Sequence, residues 1–125
     1  MRKNNNPSHD PLRDKSFNMA IRIVNLCKYL KSKRKEYVIS QQLLRSGTNP
    51  GAMVREAANA ESSKDFIHKL SVGQKETGEA QYWLELLHAT EYINQTEFAS
   101  IYKDTDEVMA LLTSSIKTTK KNLKR

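Results

Sequence analysis

The stretch RSGTNPGAMVREA, Arg45 to Ala57, sets two glycines and a proline inside a segment whose apolar spacing is otherwise helical. If it is a turn, the segment holds two short helices. If it is a flaw inside one helix, the fold has four long ones. Asn49 followed by Pro50 makes a good local start, a capping residue with proline at the first helical position. The phase of the apolar residues argues the other way: Ile39, Leu43, Ser46 or Gly47, Pro50, Met53 or Val54, Ala57 and Ala60 keep one register straight through the proline, which a turn rarely preserves. An interior proline costs roughly 3 kcal/mol and frees the carbonyl four residues earlier, here on Ser46. Each large apolar side chain buried returns about 1.5 to 3 kcal/mol, so Ile39, Leu43, Leu44, Met53 and Val54 together outweigh that defect. The segment from Glu36 to Ala60 is therefore read as one helix, kinked at Gly47, Asn49, Pro50 and Gly51.

Three further helices follow from the same periodicity. Phe17, Ala20, Ile21, Val24 and Cys27 recur at helical spacing, with Ile23, Leu26 and Leu30 widening the face, so a first helix starts near Leu12 or Ser16. A third begins at Ser63 to Asp65 and carries Phe66, Leu70, Gly73, Thr77, Ala80, Leu84 and Leu87 as a seam of alternating four- and three-residue steps. A fourth spans Thr96 to Leu123, with Phe98, Ile101, Tyr102, Thr105, Val108, Met109, Leu112, Ile116 and Leu123 on its apolar side. Short connections make sequential helices antiparallel. The expected fold is an all-α, up-down-up-down four-helix bundle over residues 12–125. Residues 1–11, with three consecutive asparagines and two prolines, have too little apolar content to pack and are expected to form a flexible arm.

Composition narrows the functional classes. The single Cys27 cannot make an intramolecular disulfide, no apolar run is long enough to cross a bilayer, and the polar opening lacks the core of a signal peptide. A cytoplasmic protein without a membrane partner is expected. Among 125 residues, 21 Lys and Arg stand against 14 Asp and Glu, a net charge of +7, which draws phosphate polymers at range. The cations are clustered: Lys28, Lys31, Lys33, Arg34 and Lys35 follow the first helix, and Lys117, Lys120, Lys121, Lys124 and Arg125 close the last. Such runs are commonly solvated helix ends and loops. With no base-reading motif beside them, any binding of RNA or DNA is expected to be nonspecific or led by shape.

EYVISQQLLRSGTNPGAMVREA followed by SSKDFIHKLSVGQKETGEAQYWLELL resembles the bacterial four helix bundle family known from proteins encoded in intervening sequences of 23S ribosomal RNA genes. The likeness runs from Phe17 to the last helix and is most specific at QLLRSGT, the GA and REA that follow it, DFIHKL and YWLELL. The commonest family form has Ser-Ile-Pro-x-Asn-Ile-Ala-Glu-Gly at the kink, whereas this chain has GTNPGAMVREA, as a recognised subgroup does. The resemblance implies a kinked second helix, a homo-oligomer that is typically a ring-shaped pentamer, and no catalytic residues. It extends to the accessory variability determinant proteins of diversity-generating retroelements, which have the same bundle and bind nucleic acid and a reverse transcriptase. A ring would use apolar surface beyond the core, and Tyr82, Trp83 and Leu86 flank the third helix's seam. These three residues either line an oligomer interface or close the monomer's own core.

Chemistry in the remaining residues is sparse. Glu85 and His88 form one Glu-x-x-His pair, where a di-metal bundle needs two such pairs and two more glutamates. His9 and His68 have no such glutamate, and solvated helix-end residues are expected. Cys27 lies among Ile23, Val24, Leu26 and Leu30 and reads as a small hydrophobe. Glu76 and Glu79 share a helix face and could work as an acid-base pair. Their better use is to answer Arg45 and Arg55 across the kink. The expected function is a non-enzymatic, self-assembling bundle, without metal or cofactor, whose basic surface meets nucleic acid or a ribonucleoprotein. The alternative is a scaffold that docks a protein partner and no nucleic acid.

Overall fold

The computed structural model describes residues 10–124. They form four helices: α1 Pro11–Lys33, α2 Val38–Ala57, α3 Ser63–Ala89 and α4 Gln95–Leu123. Of the expected arm, residues 1–9 lie outside the described residues, Asp10 caps α1 and Pro11 begins it. The Asp10 carboxylate accepts the Arg13 backbone N–H at 3.0 Å, and Pro11 takes the first helical turn, where its missing N–H costs nothing. α3 starts on Ser62, whose hydroxyl accepts from the Asp65 N–H. α4 starts on a reciprocal capping box between Asn94 and Glu97.

α2 runs without interruption through Pro50, as the phase of its apolar residues required, and is shorter at each end than expected. Its start is held by a residue that spacing alone did not single out. Tyr37 occupies the cap position without a side-chain bond. Glu36 supplies the cap instead, its buried carboxylate accepting from the backbone N–H groups of Val38, Ile39 and Ser40 at 3.2, 2.9 and 2.7 Å. These are three of the donors that a helix leaves orphaned, and the negative charge complements the helix dipole. Around the kink, Ser46 and Thr48 turn their hydroxyls back onto the carbonyls of Gln42 and Leu44, a pattern that bends helices.

Contacts across the helix pairs fix the topology. Cys27 meets Ser40, Ile23 faces Gly47 and Ser16 faces Gly51, so α2 returns along α1. Arg45 reaches Glu76 while Glu56 reaches Lys69. Gln74 reaches Thr113 while Gln81 reaches Thr105. Arg22 binds Asp104 and Lys15 binds Glu107, which closes α1 against α4. Each helix thus packs on its neighbours in sequence, and first meets last, giving an antiparallel up-down-up-down bundle with a square cross-section. Met19, Ile23, Leu30, Leu43, Leu70, Leu84, Leu87, Val108 and Leu112 are fully buried at its centre.

The seams of α3 and α4 follow their spacing, with Gly73, Thr77 and Ala80 and then Ile101, Thr105 and Val108 buried in order. α1 departs from expectation. Phe17 is 51% exposed and Ile21 also faces solvent, while Leu12, Ser16, Met19, Ile23, Cys27 and Leu30 form the buried face. The reason lies across the helix pair: a Cβ on Gly51 would stand 3.4 Å from the Ser16 carbonyl, so the position opposite the kink takes a small residue. Ser16 fits because its hydroxyl is satisfied locally, on the Arg13 carbonyl. Leu123, expected on the apolar side of α4, is exposed in its last turn.

Candidate nucleic-acid interface

The antiparallel arrangement puts the two basic clusters at opposite ends of the bundle. Lys28, Lys31, Lys33, Arg34 and Lys35 gather where α1 ends and α2, α3 and α4 each have a terminus. Lys117, Lys120, Lys121 and Lys124 lie at the far end, beside the starts of α1 and α3, and Arg125 lies outside the described residues. At about 1.5 Å per residue, α1 alone spans roughly 34 Å, so the clusters are two surfaces and not one. Both fall on helix C-termini, where lysines complement the dipole. None of the nine described cations makes an ion pair among the described residues, where Lys15, Arg22, Arg45 and Lys69 each do.

Arg34 differs from the lysines around it. Its backbone N–H closes α1 on the Leu30 carbonyl. Its guanidinium donates to the carbonyls of Glu91 and Tyr92 at 3.3 and 2.9 Å and stands 4.9 Å from the centre of the Tyr92 ring. Arg34 therefore ties the first connection to the third. Lys35 and Glu91, with φ of 54° and 68°, make the tight reversals in those same two connections. The other cations at this end carry no such structural duty, and Lys28, Lys33 and Lys35 are exposed.

The charges at the kink are shared unequally. Arg45 donates to Glu76 at 2.8 Å and also to Glu79, which in turn accepts from the Trp83 indole N–H. Arg55, expected beside these carboxylates, instead stands 5.4 Å from the centre of the Phe17 ring. The difference is one of helix face: Arg45 looks towards α3 and Arg55 towards α1. Of the three interface candidates, Tyr82 is 56% exposed and meets Trp83 edge-on, with centroids 5.0 Å apart. Trp83 and Leu86 are half-buried. Periodicity placed Phe17 and Ile21 on the packed face of α1, where the structure exposes them, because four-residue spacing looks the same on either side of a helix.

Glu85 and His88 point to different partners. The Tyr102 hydroxyl donates to Glu85 at 2.7 Å, a bond that pushes the phenol up to about 12. His88 stacks on Phe98 at 4.4 Å. Cys27 is buried, with its thiol 3.3 Å from the Ser40 carbonyl. Burial pushes the thiol up to about 11, against an opposing pull from Lys31 and with a further push from Glu36.

Comparison with known proteins agrees with this architecture. No helix among the described residues is long and apolar enough to cross a membrane. No functionally curated protein matches the chain. A solved structure from Bacteroides thetaiotaomicron, described as a protein with unknown function from the S23 ribosomal protein family, is 52% identical over 85% of this chain and 98% of its own, with a TM-score of 0.84. The model of the 23S rRNA-intervening sequence protein family matches residues 12–114. Carrying that family's pattern on a four-helix bundle with a proline inside its second helix, the chain belongs to the 23S rRNA-intervening sequence proteins.

Proposed function

We propose that this protein is a non-enzymatic bundle that self-associates, with a pentameric ring as the expected form, and binds RNA, DNA or a ribonucleoprotein through its basic ends. The observation that carries this reading is the set of unpaired cations at both ends, since Lys28, Lys33, Lys35, Lys117, Lys120, Lys121 and Lys124 are exposed and make no ion pair among the described residues. Lysines freed from carboxylates release counterions when they meet phosphates, so affinity should fall steeply with salt. Self-association is supported by apolar side chains that the monomer leaves in water. Tyr82 and, at 75% exposure, Val38 are among them.

Gel-shift titration with structured RNA and duplex DNA, repeated over a range of salt, tests the binding. Retardation at low salt that disappears steeply as salt rises is expected, and no retardation at low salt would refute it. Mass measurement in solution tests the assembly, where a monomer would refute the ring. A scaffold that docks only a protein predicts an oligomer without retardation.

A further inference from the structure

The seam between α1 and the start of α4 holds two hollows, of about 300 and 470 Å³. Both are lined by Tyr29, Ile93 and Glu97, so they are two halves of one trough with Tyr29 at the junction. Each lies near or within the volume range of small-ligand clefts, ~300 to 1,000 Å³. The other rings nearby already have partners: Tyr92 is faced by Arg34, and His88 by Phe98. Tyr29 is 39% exposed and has neither a ring partner nor a hydrogen bond among the described residues.

We propose that this trough takes unpaired nucleobases of a single-stranded nucleic acid, stacked on Tyr29, with Lys28 and Lys33 meeting the adjoining phosphates. The proposal rests on the nucleic-acid reading above and names the form of nucleic acid bound at this end. Stacking on an aromatic face is open to any base but requires a base that is out of a duplex. The charges match a strand: Lys28 precedes Tyr29, and Lys33 lies one turn further along the same helix. Neither has a carboxylate partner among the described residues. Of the two acids that line the trough, Glu97 is occupied, accepting from the Asn94 backbone N–H. Gln95 and Glu91 remain to meet the polar edges of a base.

The test uses the full chain at low salt, measuring fluorescence anisotropy of a labelled single-stranded RNA and of a duplex of equal length. Tyr29→Ala should weaken single-strand binding about tenfold, leaving duplex binding and the salt dependence unchanged. Tyr29→Phe, which keeps the ring, should bind as the parent does. Tyr29 is a surface side chain, so circular dichroism of both variants should match the parent. Parent-like single-strand binding by Tyr29→Ala overturns the stacking site and leaves the proposed function standing. Absence of binding to either nucleic acid by the parent overturns both. Adenosine monophosphate competing as effectively as the strand would place a free nucleotide in the trough and overturn the proposal.

Discussion

Ile23 packs against Gly47 so closely that a Cβ on the glycine would stand 2.7 Å from its Cγ1. Ile23 is fully buried and branched at Cβ, and cannot swing away. Gly47→Ala should therefore destabilise the bundle by about 1 to 2 kcal/mol, the cost of overpacking less the gain in helix propensity. Gly78 provides the control, since its nearest neighbour would be the Met109 methyl at 3.9 Å. Gly78→Ala should stabilise by up to about 1 kcal/mol. Urea titration of both variants checks the opposite signs.

Arg45 is the partner of a carboxylate that the fold has largely removed from water, for Glu76 is 7% exposed. Arg45→Met should leave that acceptor unanswered and cost about 1 to 3 kcal/mol. Glu79→Gln should cost less, because Glu79 is more exposed and its amide still accepts from Trp83. The ranking is read from denaturant midpoints. Equal losses would show that Glu76 is as well hydrated as Glu79.

The Cys27 thiol sits at about 11, above its ordinary 9.0, because burial disfavours the thiolate. The protonated form is the one that the fold prefers. Its contribution to stability is complete below pH 9.0 and is lost as pH rises through about 11. Labelling by a thiol reagent at pH 8 should be slow in the native protein and rapid in denaturant. Cys27→Ala should remove the part of the stability loss seen between those two pH values.

Pro50 leaves the Ser46 carbonyl without its helical donor. Pro50→Ala restores the donor but also removes a buried ring and the rigidity that proline lends the unfolded chain. These effects oppose one another, so stability should change by less than about 1 kcal/mol. The straightened α2 should alter assembly instead, as a changed mass or shape in sedimentation. Unchanged mass and shape would refute a role for the kink in assembly.

The helix count was legible because apolar residues keep phase through Pro50, and phase records burial on one side whatever the local turn signals say. The face of α1 was not. Phe17 and Ile21 share helical spacing with Cys27 just as Met19 and Ile23 do, and only the close approach of Ser16 to Gly51 selects between the two faces. The cap on α2 escaped notice for a related reason, since Glu36 acts from one position before the usual cap. The basic clusters could be read as residues but not as places. Their separation to opposite ends follows from topology, and the part of Tyr29 in a trough depends on α4 residues more than sixty positions away.

Three of the four helix contacts join neighbours in sequence, whereas the seam of α1 on α4 joins residues as far apart as Lys15 and Glu107, 92 positions along the chain. Local contacts close at a lower entropic cost than long loops do, so this seam is expected to be the last to zip on folding and the first to part. The trough lies on it. A strand seated there acts as a clasp on the first and last helices, so occupancy should slow unfolding as well as report binding, and hydrogen exchange along α1 should register the ligand even where no atom of it touches.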